Sequence, residues 1–342
     1  MKKVLIIGGT GTISTPVMEG LASDPDVDLY VLNRGNKSQM LPENVHHLIG
    51  DIRNEQEKVK DLVKDLSFDS VINFVLMSVE DARINYEIWK DKTKQFIFIS
   101  TVVVLDHYLT CNIDELAKTG NSISTYGQSK AECEQYLMDK YENESFPLTI
   151  VRPTQTYSDE RIPLSVKGKN CWSVVSRMLR GKEVIIHGDG QSVWASTHAS
   201  DFARMFLPVV ANDQTVGEIY QIMNPKTHTW DMIYSKLAEL LNVEYKPVYI
   251  SSYLLSDSKT YNLKESILGD KLFSNIFDIS KIKYLSSDFT CEVSLEKGLE
   301  MYLEYMDAHP EKKSEDEAFD IWCDQSVEAY KECMRLFKTK LK

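Results

Sequence analysis

Val4-Leu5-Ile6-Ile7-Gly8-Gly9-Thr10-Gly11-Thr12-Ile13-Ser14 decides the fold. A short β-branched and aliphatic run reads as a strand, glycines follow it at once, and Thr12–Ala22 reads as a helix. In such a strand–turn–helix unit Gly8 permits the tight turn. Gly11 lets the backbone approach a pyrophosphate at the positive end of the helix. The third position of these loops is usually Gly or Ala, for close packing of helix on strand, and here it is Ser14, also small. In this context the glycine pattern points to a dinucleotide loop, and a purely structural turn is the alternative.

Outward from that loop, short strand-like runs alternate with helical patterns. Lys3–Ile7, Leu29–Leu32, Val45–Ile49, Ser70–Phe74, Gln95–Ile99 and Leu148–Val151 read as strands, with Thr12–Ala22, Glu55–Leu66 and Ser124–Tyr141 as helices between them. The alternation predicts βαβ units and an α/β, doubly wound, parallel Rossmann-type sheet with a smaller C-terminal substrate lobe. Residues 1–158 with 183–224 are expected to form the dinucleotide-binding part, and 159–182 with 225–342 the lobe and C-terminal helices. In the second half Glu183–Ile186, Glu218–Ile222 and Tyr245–Ile250 read as strands, and Ala199–Val210 and Thr229–Leu241 as helices. A last amphipathic helix carries Phe319, Trp322, Tyr330, Cys333 and Phe337.

At 342 residues, 43% hydrophobic and 26% charged, the chain has the composition of an ordinary globular protein long enough for a large core. Its 39 basic and 51 acidic residues give a net charge of −12, which argues against a general nucleic-acid binder and against docking on anionic lipid. No apolar run approaches the length of a membrane span, and the four aliphatic residues behind Met1-Lys2-Lys3 are too few for a signal sequence. The six cysteines (111, 133, 171, 291, 323 and 333) show no metal spacing, so no metal site is expected and a cytoplasmic location with reduced thiols is the plain reading.

The second strand of such a fold ends in an acid where the ligand is NAD. Here that place holds Asn33, then Arg34, whose guanidinium suits a 2′-phosphate; a solvated loop arginine is the alternative. Asp51, in Gly50-Asp51-Ile52, is placed to hydrogen-bond an adenine or to cap the next helix. A Tyr-x-x-x-Lys pair puts both side chains on one helix face, and the chain, with 17 tyrosines, holds three: Tyr86/Lys90, Tyr126/Lys130 and Tyr136/Lys140. Tyr86 precedes the strand end Phe98-Ile99-Ser100-Thr101, and Tyr136 lies about 80° off the face of Tyr126 on the same helix. Placement therefore selects Tyr126 and Lys130.

In these residues the chain resembles the extended short-chain dehydrogenase/reductase family, the NAD(P)-dependent sugar epimerases and dehydratases, from Gly8 to about Tyr305. The likeness includes Val151-Arg152-Pro153, Gly188-Asp189-Gly190 and Thr197-His198-Ala199-Ser200-Asp201. Asn33-Arg34-Gly35, the short stretch between Phe74 and Gln95, Gly269-Asp270-Lys271 and Phe277-Asp278-Ile279-Ser280-Lys281 resemble a divergent branch. That branch holds bacterial epimerase-like proteins and a chloroplast stem-loop RNA-binding protein. The resemblance implies that Thr101 orients a substrate hydroxyl, Tyr126 is the acid/base, and Lys130 lowers the tyrosine pKa and holds the nicotinamide ribose.

Cofactor contacts are expected from Gly8, Thr10, Gly11, Thr12, Ile13, Asn33, Arg34, Asp51, Ile52 and Lys130, with NADP favoured over NAD by Arg34. The substrate side departs from the family. Thr101 is followed by Val102-Val103, so the Asp-Glu pair of sugar 4,6-dehydratases is missing. Gln155 stands where a substrate-binding asparagine is usual, and Trp194 where an arginine commonly grips a nucleotide diphosphate. Six cations and no acid lie from Arg161 to Lys182, a segment suited either to a phosphate or to solvent. Gln155, Trp194 and Arg161 are the expected substrate contacts. His198 is expected to be a buried structural histidine and Asp201 a helix-start residue.

The reading is an epimerase-like enzyme moving hydride to and from a carbinol of a sugar, a nucleotide sugar by the resemblance. An NADPH-dependent reductase of a non-nucleotide carbonyl compound is the alternative, and a non-catalytic RNA-binding protein a third. Monomer and homodimer are both open.

Overall fold

The computed structural model describes residues 1–106, 112–285 and 290–341, so Cys111 lies outside the described residues. The chain forms strands β1 (Lys2–Ile7), β2 (Val27–Asn33), β3 (His46–Ile49), β4 (Ser70–Asn73), β5 (Phe96–Ile99) and β6 (Leu148–Pro153). Then come β7 (Gln155–Tyr157), β8 (Val184–His187), β9 (Val193–His198), β10 (Ile219–Ile222), β11 (Thr227–Thr229) and β12 (Pro247–Ile250). Seven of these make one sheet in the order β10-β6-β5-β4-β1-β2-β3, with every neighbouring pair parallel. The order reverses beside β1, which opens a crevice at the carboxyl end of that strand, where Gly8 stands.

Helices α1 (Ser14–Ala22), α2 (Gln56–Leu62), α3 (Val79–Trp89), α4 (Thr125–Glu144), α5 (Trp172–Leu179), α6 (Ala199–Phe206) and α7 (Trp230–Leu240) follow. Side chains alternate across the sheet with the period of two that a strand imposes. Val4, Ile6, Val31, Ile72 and Ile97 pack with Val17 and Met18 of α1 and Phe202 and Phe206 of α6. Leu5, Ile7, Val71, Phe96 and Phe98 face the other way, onto Val59 of α2, Trp89 of α3 and Leu137 of α4. Burial on both faces is why β4 and β5 read as unbroken apolar runs.

The lobe has its own core, with Trp172, Trp194, Trp230 and Trp322 buried in it. Two smaller sheets border it, β7-β9-β11 and β8-β12. Here the structure differs from the sequence reading, which placed 183–224 with the main sheet. Val184–His187 pairs in parallel with Pro247–Ile250, and Val184, Ile185 and Ile186 lie in the lobe core. A four-residue apolar run declares that it is buried but not which strand it joins.

Among the described residues, three helices of eight residues or more went unread: α3, α5 and Leu295–Ala308. The first carried a signal, since Ser78 and Asp81 form a complete capping box at its start. The last helix, Glu317–Lys340, docks only by its first half. Phe319, Trp322 and Val327 are buried, whereas Cys333 is exposed and Phe337 is 60% exposed.

Candidate active site

The crevice beside β1 contains a cavity of about 370 Å³ lined by Gly8, Thr10, Asn33, Arg34, Asp51 and Ile52. Asn36, Lys37, Arg53 and Asn54 also border it, and the sequence reading missed them. Backbone shapes its floor. Gly8 has φ +112°, and a Cβ there would meet Val75 Cγ1 at 3.2 Å. Ser14 fits the third loop position by accepting the Gly11 N–H at 2.8 Å. The start of α1 has no side-chain cap and no acid in its first turn, so its unpaired N–H groups and positive dipole end suit a phosphate. Gly11, Thr12 and Ile13 form this entry to α1 and do not line the cavity wall.

Asn33 is held within the protein. Its Oδ1 accepts from the Gly35 N–H at 2.8 Å and from His47 Nε2 at 2.9 Å. Arg34 stays exposed at the cavity edge. Asp51 accepts from the Asn54 amide at 2.9 Å and from the Arg53 N–H at 3.0 Å. The Asn54 hydrogen bond foremost, then the Arg53 N–H and the Arg34 charge, holds its carboxyl below the usual range. Arg53 bridges the cavity wall to Asp81 at 2.9 Å and donates to the Val75 carbonyl at 2.6 Å. The Asp51 side chain accepting the Arg53 N–H forms an Asx turn, and an aspartate just past the end of β3 was available as its signal.

The structure brings Thr101, Tyr126 and Lys130 together at the end of β5 and the start of α4. The Thr101 hydroxyl lies near enough to the Tyr126 phenol to pull its pKa downward. Ser124 caps α4 by accepting the Gly127 N–H at 3.1 Å, which sets Tyr126 in the first turn. The Tyr126 ring is 42% exposed, while atoms crowding its hydroxyl desolvate it. That desolvation pushes its pKa up to about 12, against the pull of Thr101 and aided by the Asp270 charge.

Lys130 is placed differently from expectation. Its Nζ lies 6.0 Å from the Tyr126 ring centre but donates to the Leu76 and Ile99 carbonyls, both at 2.7 Å. Burial brings its own pKa down to about 8. The ammonium is thus held by backbone, and in this structure the phenol is raised rather than lowered. The other two matches are structural: Tyr86 donates to Glu144, and Tyr136 lies under Arg83 and Lys140.

Across the cleft, the turn Ile267–Lys271 settles on the start of α4. The Asn121 amide donates to the Gly269 carbonyl at 2.6 Å, and a Cβ on Gly269 would reach Ser124 at 3.2 Å. This seats Asp270 near Tyr126, while the Lys271 ammonium turns into the lobe toward the Ser165 carbonyl; burial moves their pKa values to about 7 and about 8. They had been noticed only as part of a resemblance.

The expected substrate residues do not share one surface. Gln155 is part-buried and its Oε1 has no hydrogen-bond partner among the described residues, as has the Oγ of Ser196, its partner in register across the strands. Trp194, expected at the cleft, is 1% exposed and stacks on Trp230 with centroids 6.2 Å apart, so it packs the lobe. Arg161 is part-buried in the lobe. His198 is buried between Asp159, at 3.1 Å, and Ser200, at 2.8 Å. Asp201 is fully buried and accepts the N–H groups of Glu292 and Val293. Among the described residues no group of His, Cys, Asp and Glu could hold a metal ion, and no helix is long and apolar enough to cross a membrane.

Known proteins resemble this chain in sequence and in fold. The model of the NAD dependent epimerase/dehydratase family matches residues 4–222. The chain is 26% identical over 246 residues to dTDP-D-glucose 4,6-dehydratase of Mus musculus, covering 65% of this chain and 68% of that protein. It is also 26% identical over 243 residues to a chloroplast stem-loop binding protein of Arabidopsis thaliana, covering 67% of this chain and 61% of that one. Among solved structures, UDP-glucuronic acid 4-epimerase from Bacillus cereus in complex with NAD superposes with TM-score 0.71 at 20% identity. It covers 90% of this chain and 99% of that one. dTDP-glucose 4,6-dehydratase from Bacillus anthracis gives 0.72 at 20% identity, over 91% and 98%.

Proposed function

The chain belongs to the NAD dependent epimerase/dehydratase family, and from that premise we propose that it is an NAD(P)-dependent oxidoreductase acting by hydride transfer on a carbinol or carbonyl of a sugar. The observation that carries this reading is the placement of Thr101, Tyr126 and Lys130 at the carboxyl edge of the same sheet that forms the Gly8–Asp51 cavity. A bound nicotinamide dinucleotide supplies the hydride acceptor and donor. Its pyrophosphate is to be met by the Gly8–Ile13 loop and the start of α1, its adenine by Asp51 and Ile52, and its ribose phosphate by Arg34. NADP is the preferred form, because Asn33 is occupied with Gly35 and His47 and no carboxylate ends β2.

Tyr126 exchanges a proton with the substrate oxygen, and Thr101 hydrogen-bonds the same oxygen. Lys130, pinned under the ring by two carbonyls, keeps a positive charge beside the phenol and a further N–H toward the ribose. Elimination of water needs an acid beside Thr101, and the two residues that follow it, Val102 and Val103, are hydrocarbons. Epimerisation is therefore the better fit within the family. Carbonyl reduction is the second reading, favoured by a Tyr126 phenol that stays protonated near neutral pH and can donate directly.

The test is turnover of a panel of nucleotide sugars and small carbonyl compounds with NAD, NADP and NADPH, followed by product chromatography and nicotinamide absorbance. Turnover that disappears in Tyr126→Phe supports the proposal. No turnover of any member by the dinucleotide-bound protein contradicts it.

A further inference from the structure

The last helix, Glu317–Lys340, carries one apolar stripe that outruns the body of the protein. Cys323, Val327, Tyr330, Met334, Phe337 and Leu341 recur at spacings of three and four, which keeps them on one helix face. The first half of that face is used: Cys323 and Val327 are buried in the lobe core, and Tyr330 packs against its edge. Past Tyr330 the helix leaves the body, and every residue from Lys331 to Leu341 is exposed. The backbone nonetheless stays helical to its end, where the Leu341 N–H donates to the Phe337 carbonyl at 3.2 Å. The result is an arm of about three turns. Its stripe faces the same side as the buried half, so the arm overhangs a step at the edge of the lobe.

Three features say what fills that step. The spacing of three and four is the one by which two helices interlock their side chains. The stripe is also complementary to itself. When two copies lie antiparallel, Met334 of one is level with Phe337 of the other, and Tyr330 with Leu341, so both stripes are used in full. Charge supplies the third feature. The arm carries Lys331, Arg335, Lys338 and Lys340 against Glu332 alone, on a chain of net charge −12. Parallel arms would set the lysines of the two tips together. Antiparallel arms carry Lys338 and Lys340 of one copy to the root of the other arm. There Glu183 already attracts Lys331, Glu328 attracts Arg335, and both acids remain open to solvent. A flat bilayer, by contrast, meets the body before it reaches a stripe that faces the body's side.

We propose that the C-terminal arms of two copies clasp antiparallel, forming a homodimer through Tyr330, Met334, Phe337 and Leu341. The inference does not rest on the hydride-transfer reading, and its contact lies on the lobe rather than on the sheet.

The test is sedimentation of wild type and Phe337→Asp at concentrations up to about 100 µM, with circular dichroism to check that the variant is folded. Wild type is expected to dimerise with a dissociation constant of about micromolar order, because two short arms bury less than a standard interface. Phe337→Asp is expected to weaken the dimer tenfold or more, since the aromatic side chain lies at the centre of the clasp. Orientation is read by oxidative cross-linking of Met334→Cys and Phe337→Cys, each combined with Cys333→Ser. The mixture of the two is expected to give a disulfide-linked dimer well above the level of either variant alone. Wild type that is monomeric throughout, or a dimer that Phe337→Asp leaves unchanged, would overturn the clasp. Cross-linking by each variant alone as strongly as by the mixture would overturn its antiparallel sense. Capture of monomeric wild type, but not of Phe337→Asp, on phosphatidylserine vesicles would give the arm to lipid and overturn the proposal.

Discussion

The cavity at the carboxyl edge of the sheet and the lobe opposite it are built in contrasting ways. Backbone shapes the cavity: positive φ at Gly8, Gly9 and Gly35, an uncapped α1, and an exposed Arg34 at the edge. Side chains fill the lobe by satisfying one another, with Trp194 on Trp230 and four cations on Asp316, Asp320 and Asp324. A ligand meets open donors on the first side; on the second, the unpartnered groups among the described residues include one acceptor, the Gln155 amide oxygen, and one donor, the Arg161 Nε. Tyr126 stands between the two, and what it does depends on both.

The largest expected effect lies at that meeting point. Tyr126→Phe keeps the ring but deletes the proton donor, so turnover should fall by about 10²–10⁴ while dinucleotide affinity survives. Tyr86→Phe and Tyr136→Phe should leave the rate near wild type. Steady-state kinetics on the substrate found by the panel, with calorimetry for the cofactor, checks all three. Wild-type turnover in Tyr126→Phe would separate the cavity from any chemistry at α4.

The next effect lies within the sheet half of the molecule. Arg152 of β6 donates to Glu134 of α4 through Nε at 2.9 Å and Nη2 at 2.6 Å, and both side chains are buried. Glu134→Gln strands the guanidinium, and denaturant unfolding should show a loss of about 3–5 kcal/mol. A loss under about 1 kcal/mol would mean that solvent reaches the pair.

Those two regions also differ in how far the sequence alone reveals them. The sheet was legible because its strands are short β-branched runs broken by helical patterns. The glycine loop was legible because its turn admits few residues. Six of the expected cofactor residues line one cavity, since their positions follow from where β1, β2 and β3 end. The lobe was not legible in this way. Val184–Ile186 announces burial without naming Pro247–Ile250 as its partner. The cations at Lys167, Arg177, Arg180 and Lys182 look like a phosphate site until their acids, more than a hundred residues on, fold against them. The position of Trp194 suggested a ligand contact, but an indole gains more by stacking on Trp230 in a dry core.

A smaller effect sharpens the backbone side of the contrast. Gly8→Ala forces a Cβ toward Val75 at a φ that L-residues disfavour. A strain of about 1–3 kcal/mol should weaken dinucleotide binding by roughly tenfold or more, read by titration. The smallest effect probes the lobe. Asp320 is held at about 2 by hydrogen bonds from Lys182, Arg177 and Arg180, acting against its burial. Its folded value is depressed, so its contribution is present above the ordinary value of 3.8 and is lost as pH falls through about 2. The stability gap between wild type and Asp320→Asn should be about 1 kcal/mol near neutral pH, given its partial exposure, and should close across that acid window. A gap unchanged at acid pH would assign the residue a packing role instead.

The central claim is that the Gly8–Asp51 cavity holds a nicotinamide dinucleotide, with Arg34 selecting its form. Calorimetric titration of NADP and NAD into wild type and Arg34→Ala tests it most directly. The account predicts binding of both to wild type, NADP the tighter, and loss of that preference in Arg34→Ala. Binding of neither dinucleotide would contradict the cavity assignment, and NAD binding at least as tightly as NADP, with NADP affinity unchanged in Arg34→Ala, would contradict the role given to Arg34.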